Sequence, residues 1–243
     1  MPKPQIEVLP DPQSVAESMA AWIAERIAAT SDVFRMALSG GNTPRLLYEV
    51  LGSEYRDRIE WDRVELFWGD ERFVPHGDPR SNYRMARETL LARAPVLIDN
   101  IHPIVTDGEP DPAARRYELL LKNVYGAEFL SPERPLFDLV LLGLGDDGHT
   151  ASLFPGAPAL EEAAHWVVAA AGHDVPRITL TYPALESSRA VAFLVAGADK
   201  AEIVRRVISG DDSLPASRVR PQGEIVWFLD RAAASELQTN GSA

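Results

Sequence analysis

One stretch of the chain, residues 137–156 (FDLVLLGLGDDGHTASLFPG), limits the possible folds more than any other. It opens with a run, residues 137–144, that is apolar except for Asp138. A short continuous apolar run of this kind is typical of a strand buried on both faces, as in a parallel sheet. Glycines and the side chains of Asp146, Asp147 and His149 follow immediately. Because open α/β sheets bind ligands at the carboxyl ends of their strands, this segment predicts an active site.

The same stretch also matches the glycine pattern of a dinucleotide-binding loop, Gly143-x-Gly145-x-x-Gly148. Such a loop holds a pyrophosphate on backbone N–H groups at the start of a helix. Here two carboxylates would repel that anion, and a Pro-Gly pair soon interrupts any helix. The pattern also lies far from the N-terminal βαβ unit that usually carries it. A nucleotide-binding dehydrogenase is therefore disfavoured.

Strand-like and helix-like segments alternate along most of the chain. This alternation predicts an α/β fold with a single doubly wound, mostly parallel sheet and helices on both faces, as in Rossmann-like proteins. Helix starts are predicted at Asp11, Asp111 and Asp199, and a short last helix over residues 231–237. No repeat or linker divides the sequence, so we predict one domain over residues 1–243. The predicted strands cover residues 6–9, 33–38, 64–69, 101–105, 137–144, 166–171, 177–182, 190–196 and 224–229.

Composition excludes several classes of protein. The net charge of −12 does not suit a general nucleic-acid-binding protein, which needs a basic surface. No segment has the length and hydropathy of a transmembrane span, and residues 1–15 lack a secretory signal pattern. The chain has no cysteine, which excludes disulfides and thiolate catalysis and predicts a cytoplasmic location. We therefore expect neither a nucleic acid nor a membrane as a partner.

Two further strand ends carry polar residues. Residues 39–44 (SGGNTP) form a Gly-Gly loop with hydroxyl and amide side chains that leads into a helix, an arrangement suited to binding an anion. A simple tight turn is the alternative interpretation of this loop. Asp70, Glu71 and Arg72 follow the predicted strand 64–69. They are either catalytic or a solvated loop with an internal ion pair, which is the commoner case for charges on a turn.

Together these motifs resemble those of the 6-phosphogluconolactonase family, over nearly the whole chain. One departure is Asn42, where the family usually has serine, and an amide can still donate a hydrogen bond to a phosphate oxygen. The resemblance implies a fold similar to that of glucosamine-6-phosphate deaminase. It also implies hydrolysis of 6-phospho-D-glucono-1,5-lactone to 6-phospho-D-gluconate, the second step of the pentose phosphate pathway. The matching segments are residues 39–44, 69–75 (GDERFVP), 81–83 (SNY), 143–156 and 177–181 (RITLT), with Lys200.

The resemblance further implies the roles of individual residues. His149 is expected to be the general base that activates water, because an imidazole ordinarily changes its protonation state near neutral pH. Asp70 is expected to orient the substrate or that imidazole, and Arg72 to hold the lactone or its developing charge. The implied substrate-binding residues are Gly40, Gly41, Asn42, Thr43, Asp147, Arg177 and Lys200.

No metal and no organic cofactor is expected. Asp147 and His149 are candidate metal ligands, but no second histidine or glutamate at a suitable spacing completes a set. The expected partner is a small-molecule substrate, and the chain is expected to be a monomer or a homodimer. The remaining histidines are predicted to lie on the surface or in loops, namely His76, His102, His165 and His173.

Two other functions compete with lactone hydrolysis. A glucosamine-6-phosphate deaminase or isomerase carries an Asn-Glu pair just before the Pro-Gly, whereas this chain has Leu153 and Phe154, and phenylalanine cannot transfer protons. A non-catalytic sugar-phosphate-binding module would not need Asp70, Arg72 and His149 together. A serine nucleophile is disfavoured because no G-x-S-x-G elbow is present.

Overall fold

The computed structural model describes residues 4–237. In this range the strands are β1 (Gln5–Leu9), β2 (Phe34–Leu38), β3 (Val64–Trp68), β4 (Asp70–Arg72), β5 (Ile101–His102), β6 (Leu139–Leu142), β7 (Val167–Ala170), β8 (Arg177–Leu180), β9 (Ala190–Val195) and β10 (Glu224–Asp230). The α-helices are α1 (Pro12–Ala29), α2 (Asn42–Ser53), α3 (Asn82–Ala86), α4 (Pro110–Tyr125), α5 (Tyr182–Glu186) and α6 (Ala201–Ile208).

Seven strands form one sheet in the order β1-β10-β9-β6-β2-β3-β5, and every neighbouring pair is parallel. The chain runs outward from β2 through β3 to β5, and then from β6 in the opposite direction through β9 to β10. Right-handed crossovers in opposite directions put the connecting helices on opposite faces. The predicted doubly wound parallel α/β sheet is confirmed.

The centre of this sheet is buried on both sides. Every residue of β6 (Leu139–Leu142) is buried, as is every residue of β9 (Ala190–Val195). Uninterrupted apolar sequences suit these two strands because no face of either is in contact with water. The pairing of β1 with β10 joins the two ends of the chain in one sheet and supports the prediction of a single domain, which stays a prediction.

A second, antiparallel sheet of β4, β8 and β7 was not predicted. Gly69 joins the two sheets, since its N–H donates to the Leu38 carbonyl (2.9 Å) and its carbonyl accepts from the Leu180 N–H (2.9 Å). The predicted strands 166–171 and 177–182 exist, somewhat shortened. Sequence analysis could not assign them to a separate sheet, because a short buried apolar strand has the same pattern in either kind of sheet.

Two buried tyrosines form hydrogen bonds with the backbone at the carboxyl ends of β2 and β3. The Tyr48 hydroxyl accepts from the Ser39 N–H (2.9 Å) and donates to the Ser39 carbonyl (2.8 Å). Tyr117 makes the same pair of bonds with Trp68 at the end of β3. Burial raises the pKa of both phenols, so they stay neutral and can act as donor and acceptor at once.

Three predicted helix details differ from the structure, and one is confirmed. Asp11 caps α1, with its Oδ1 accepting from the Ser14 N–H at 2.8 Å. Glu109, and not Asp111, precedes α4 as its N-cap residue. Asp199 lies in a separate 3₁₀ turn before α6, which begins at Ala201. Residues 231–237 form turns and not a helix.

Candidate active site

A cleft of about 520 Å³ opens at the carboxyl ends of β2 and β6. These neighbouring strands are the point at which the chain reverses its direction across the sheet. Loops that diverge at such a point leave a crevice, which is where doubly wound sheets bind ligands. The structure brings most of the predicted site residues together in this cleft: Gly40, Gly41, Asn42, Thr43, Asp70, Arg72, His149 and Lys200.

The loop after β2 supplies one wall of the cleft through its backbone. Gly41 precedes α2 with φ at 109°, a backbone conformation that residues with a side chain rarely adopt. Glycine also has no side chain with which to cap the helix, so the first backbone N–H groups of α2 lack a side-chain acceptor. These N–H groups and the positive end of the helix dipole suit an anion.

Asp70, which also lines the cleft, is fixed by neutral donors. Its Oδ2 accepts from the Ser152 hydroxyl at 2.6 Å, and its Oδ1 from the Asn82 amide at 3.2 Å. The same amide donates to the Asp70 carbonyl at 2.9 Å. All three residues are buried. The carboxylate is therefore held in one orientation with no paired cation within residues 4–237.

Asn82 also links Asp70 to the loop after β2. A methyl group added at Gly40 would lie 2.0 Å from the Asn82 Oδ1, so only glycine allows this contact. Asn82 and Ser152 were not predicted as site residues, although both belong to the motifs that carried the resemblance. Their contacts with Asp70 join segments far apart in the sequence, and no local pattern reveals such a contact.

Glu71 is fully buried and organises the start of α3. Its carboxylate accepts from the Ser81 hydroxyl (3.0 Å) and from the backbone N–H groups of Arg72, Asn82 and Tyr83 (2.7–2.8 Å). Burial raises the pKa of Glu71, while the backbone donors oppose this shift. The solvated-loop interpretation of this charge cluster was therefore wrong, because two of its three side chains are buried, Asp70 being the other.

Arg72 lines the cleft, whereas the predicted Arg177 does not. The two arginines are direct partners across the β4–β8 pair. Arg177 is buried and donates to Asp174 at 2.7 Å, while its Nε and Nη1 have no hydrogen-bond partner in the described part of the chain. Burial, and then the positive charge of Arg72, lowers the pKa of Arg177. The role predicted for Arg177 in substrate binding stays a prediction.

His149 and Asp147 form a hydrogen-bonded pair on the turn after β6. The imidazole Nδ1 lies 2.6 Å from the Asp147 Oδ1, which also accepts from the His149 N–H at 3.0 Å. Burial alone would raise the pKa of Asp147, but these bonds from His149 outweigh it and lower the pKa. An ionised carboxylate at Nδ1 selects the tautomer whose Nε2 is free to accept a proton. Asp147 thus contacts His149 and does not itself line the cleft, so the substrate-binding role predicted for it stays a prediction.

The backbone of this turn is shaped around the imidazole. A methyl group at Gly145 would lie 2.0 Å from the His149 Nδ1, so the ring rests directly on the glycine backbone. Gly148 has φ at 79°, and Ala151 has φ at 47°, which is uncommon for a residue with a side chain. Only Ala151 is strained, because glycine adopts a positive φ freely, and strained backbone is concentrated at functional sites.

One predicted loop histidine lies beside the pair. His173 is exposed, its ring centre is 4.9 Å from that of Phe154, and its Nε2 lies 3.9 Å from the Asp147 Oδ2. The Phe154 ring in turn packs 4.7 Å from the His149 ring. His102 differs from its prediction, because it lies in β5 and stacks on the Phe67 ring.

Lys200 reaches the cleft from the residue before α6. Its Nζ donates to the Leu144 carbonyl at 2.9 Å and pairs with the Asp146 carboxylate.

Within residues 4–237, no group of three or more candidate ligands stands where it could hold a metal ion, and no helix has the length and apolar character of a membrane span. The prediction that no metal or cofactor is needed stays a prediction.

The family described as "Glucosamine-6-phosphate isomerases/6-phosphogluconolactonase" matches residues 10–227. The chain belongs to this family. Among curated relatives, the 6-phosphogluconolactonase of Synechocystis sp. is 40% identical and aligns over 97% of this chain and 99% of its own length. The 6-phosphogluconolactonase of Streptomyces coelicolor is 38% identical and aligns over 96% of this chain and 95% of its own.

Solved structures extend the comparison to three dimensions. The 6-phosphogluconolactonase of Trypanosoma brucei has a TM-score of 0.81 at 30% identity, with 97% of this chain and 99% of that chain covered. A monomeric glucosamine-6-phosphate deaminase has a TM-score of 0.77 at 19% identity, with 96% of this chain and 99% of that chain covered. At this level of identity, the similarity shows only that the fold is shared. The family resemblance found in the motifs is confirmed, as is the similarity of fold to glucosamine-6-phosphate deaminase.

Proposed function

We propose that this chain hydrolyses 6-phospho-D-glucono-1,5-lactone to 6-phospho-D-gluconate, the second step of the oxidative pentose phosphate pathway. One observation carries the proposal: His149, hydrogen-bonded to Asp147 (2.6 Å), lines the same cleft as the start of α2, whose backbone N–H groups suit an anion. A base and an anion site in one cleft suit an ester that carries a phosphate. The 6-phosphogluconolactonases among the relatives support the same reaction.

The substrate would lie along the cleft with its phosphate at the backbone N–H groups of residues 40–43 and the ammonium of Lys200. Its lactone would then lie between Arg72, Asp70 and His149. Asp70, held by two neutral donors, can accept a hydrogen bond from a sugar hydroxyl and so orient the ring. Phosphate binding far from the ester positions the carbonyl for attack.

His149 would act as general base and then as general acid. A water molecule transfers a proton to the Nε2 of His149 as its oxygen attacks the lactone carbonyl carbon. The tetrahedral oxyanion is stabilised by the guanidinium of Arg72. When the intermediate collapses, the bond to the ring oxygen breaks and the imidazolium returns its proton to that oxygen. Asp147 stabilises the imidazolium between the two transfers, and the new carboxylic acid ionises in water.

A direct assay tests this proposal. Glucose 6-phosphate is oxidised in situ to the fresh lactone, at slightly acidic pH to slow its spontaneous opening, and release of acid is followed. We expect decay well above the uncatalysed rate. A rate equal to the uncatalysed one, with 6-phosphogluconate still bound, would contradict hydrolysis and favour a sugar-phosphate-binding module. Release of ammonium from glucosamine 6-phosphate would instead favour the deaminase, which Leu153 and Phe154 argue against on chemical grounds. The cytoplasmic location and the monomeric or homodimeric state stay predictions.

A further inference from the structure

The cation at the phosphate end of the cleft already has an anionic partner. The Lys200 ammonium pairs with the Asp146 carboxylate and donates to the Leu144 carbonyl at 2.9 Å, so two of its three donors are in use. Lys200 and Asp146 both line the cleft. A phosphate that reaches Lys200 must therefore compete with a carboxylate of the chain itself.

The two partners differ in how firmly they are held. The Lys200 side chain is 19% exposed, whereas that of Asp146 is 83% exposed. Asp146 makes no other side-chain hydrogen bond or ion pair in the described part of the chain. Its neighbour Asp147 is held at the base of the turn by two bonds from His149. The Asp146 side chain can therefore leave the ammonium and enter water at small cost, while Lys200 stays in place.

We propose that Asp146 is an internal competitor of the phosphate group: it occupies the Lys200 ammonium in the free enzyme and is displaced when a phosphate ligand binds. Asp146 thereby weakens the binding of every ligand that places a phosphate at this end of the cleft. The inference depends on the proposed function only in taking a sugar phosphate as the natural ligand.

Weaker binding of the phosphate group would help a hydrolase to release a product that still carries this group. Substrate and product would both bind through the same remote group, and tight binding of that group would slow product release without lowering the barrier to hydrolysis. A displaceable carboxylate counteracts this effect, because it lowers the affinity for both ligands and leaves the acid–base residues unchanged. Asp146 is thus a determinant of phosphate affinity and not a catalytic residue.

Asp146→Asn tests the inference directly. The amide keeps the size of the side chain and removes the charge. The side chain is exposed, so the fold should be unchanged, which circular dichroism checks. Binding of inorganic phosphate and of 6-phosphogluconate is measured by calorimetry. We expect the variant to bind both about two- to fivefold more tightly, the range for a partly exposed ion pair. The matched control is Asp212→Asn, a change of equal charge at a similarly exposed carboxylate outside the cleft.

Three further readouts sharpen the test. Gluconate, which lacks the phosphate, should bind both proteins equally, and the difference in phosphate affinity should shrink as salt screens the ion pair. The KM for the lactone should fall with the Kd of the product. Unchanged or weaker phosphate binding in Asp146→Asn, or an equal gain for gluconate or in the Asp212→Asn control, would overturn the inference. A gain in phosphate affinity in a chain that does not hydrolyse the lactone would leave the inference standing and overturn only the proposed function.

Discussion

The two ends of the cleft are built in different ways. At the proposed phosphate end, the donors are mostly backbone N–H groups at the start of α2, and the charged side chain, Lys200, is paired with an exposed carboxylate. At the proposed acid–base end, the groups expected to act are side chains fixed by buried or short hydrogen bonds. Asp70 is held by Asn82 and Ser152, and His149 by Asp147.

This difference predicts how each end responds to substitution. A backbone N–H group survives a change of side chain, so the phosphate end should lose affinity gradually and keep its rate of reaction. A fixed side chain has no substitute in the cleft, so a single change at the acid–base end should remove most of the turnover. Substitutions at the acid–base end should therefore act mainly on kcat, and substitutions at the phosphate end mainly on KM.

The largest effect is expected for His149→Ala. Removal of a general base should lower kcat by roughly 10²- to 10⁴-fold, because no other described side chain in the cleft pairs an imidazole with a carboxylate. Binding of 6-phosphogluconate should stay nearly intact, since the phosphate end is unchanged. Steady-state kinetics and calorimetry measure the two quantities, with His165→Ala, an exposed histidine outside the cleft, as the control. Loss of binding together with an unchanged kcat would contradict the role of His149 as base.

Asp147→Asn should have the next largest effect. An amide can present an N–H group to Nδ1 and so favour the wrong tautomer of His149, and we expect kcat to fall at least about tenfold. The pH dependence of stability gives a second readout. The pKa of Asp147 lies below its ordinary value of 3.8 in the folded chain, so the ionised carboxylate stabilises the fold above that pH.

The stabilisation by the ionised Asp147 carboxylate disappears as the pH falls through the lowered pKa of this group. In urea unfolding, the Asp147→Asn variant should therefore be slightly less stable than the wild type at neutral pH, by less than about 1 kcal/mol for a partly exposed pair. The difference should narrow once the pH falls below 3.8 and close below the lowered pKa of Asp147. A difference that persists unchanged at acid pH would show that the hydrogen bond to His149 does not depend on the charge of Asp147.

Gly40→Ala tests whether the two ends are independent. The added methyl would lie 2.0 Å from the Asn82 Oδ1 and should displace the amide that holds Asp70. Overpacking of a buried contact costs about 1–3 kcal/mol, and we expect both kcat and KM to worsen. Gly77→Ala is the control, because a methyl there meets no atom within 4 Å. An effect on KM alone would mean that Asn82 does not transmit the change to the acid–base end.

Lys200→Ala should have a smaller effect than the variants above, and it should act on KM. Loss of one cation from a partly neutralised phosphate site should raise KM about tenfold and leave kcat nearly unchanged. Arg177→Ala should act in the same direction but less, because Arg177 lies outside the cleft lining. Lys122→Ala, on α4, is the matched control. Unchanged kinetics in both site variants would remove both residues from the substrate-binding site.

Sequence analysis predicted the parts of the site that lie within one continuous segment of the chain. The apolar run that forms β6 is followed at once by Asp147 and His149, and their hydrogen bond spans only two positions. The loop at residues 39–44 likewise carries its own glycines and leads directly into α2. Local order along the chain is enough to predict such features, because the backbone geometry of a strand, a turn and a helix start is set by neighbouring residues.

The parts that were missed depend on contacts between distant segments. Asn82 and Ser152 meet at Asp70 only because Gly69 carries the chain out of the main sheet and into the small antiparallel one. The pairing of Lys200 with Asp146, and the position of Arg177 outside the cleft, are also decided by packing.

The sequence alone therefore determined the fold class, the family and the location of the cleft, because periodicity and motif order are properties of the chain. Only the tertiary structure decided which carboxylate is buried, which cation is already paired and which predicted residue lines the cleft. The physical reason is that burial and charge pairing depend on distances in space between residues that lie far apart in the chain, and those distances exist only once the sheets have formed.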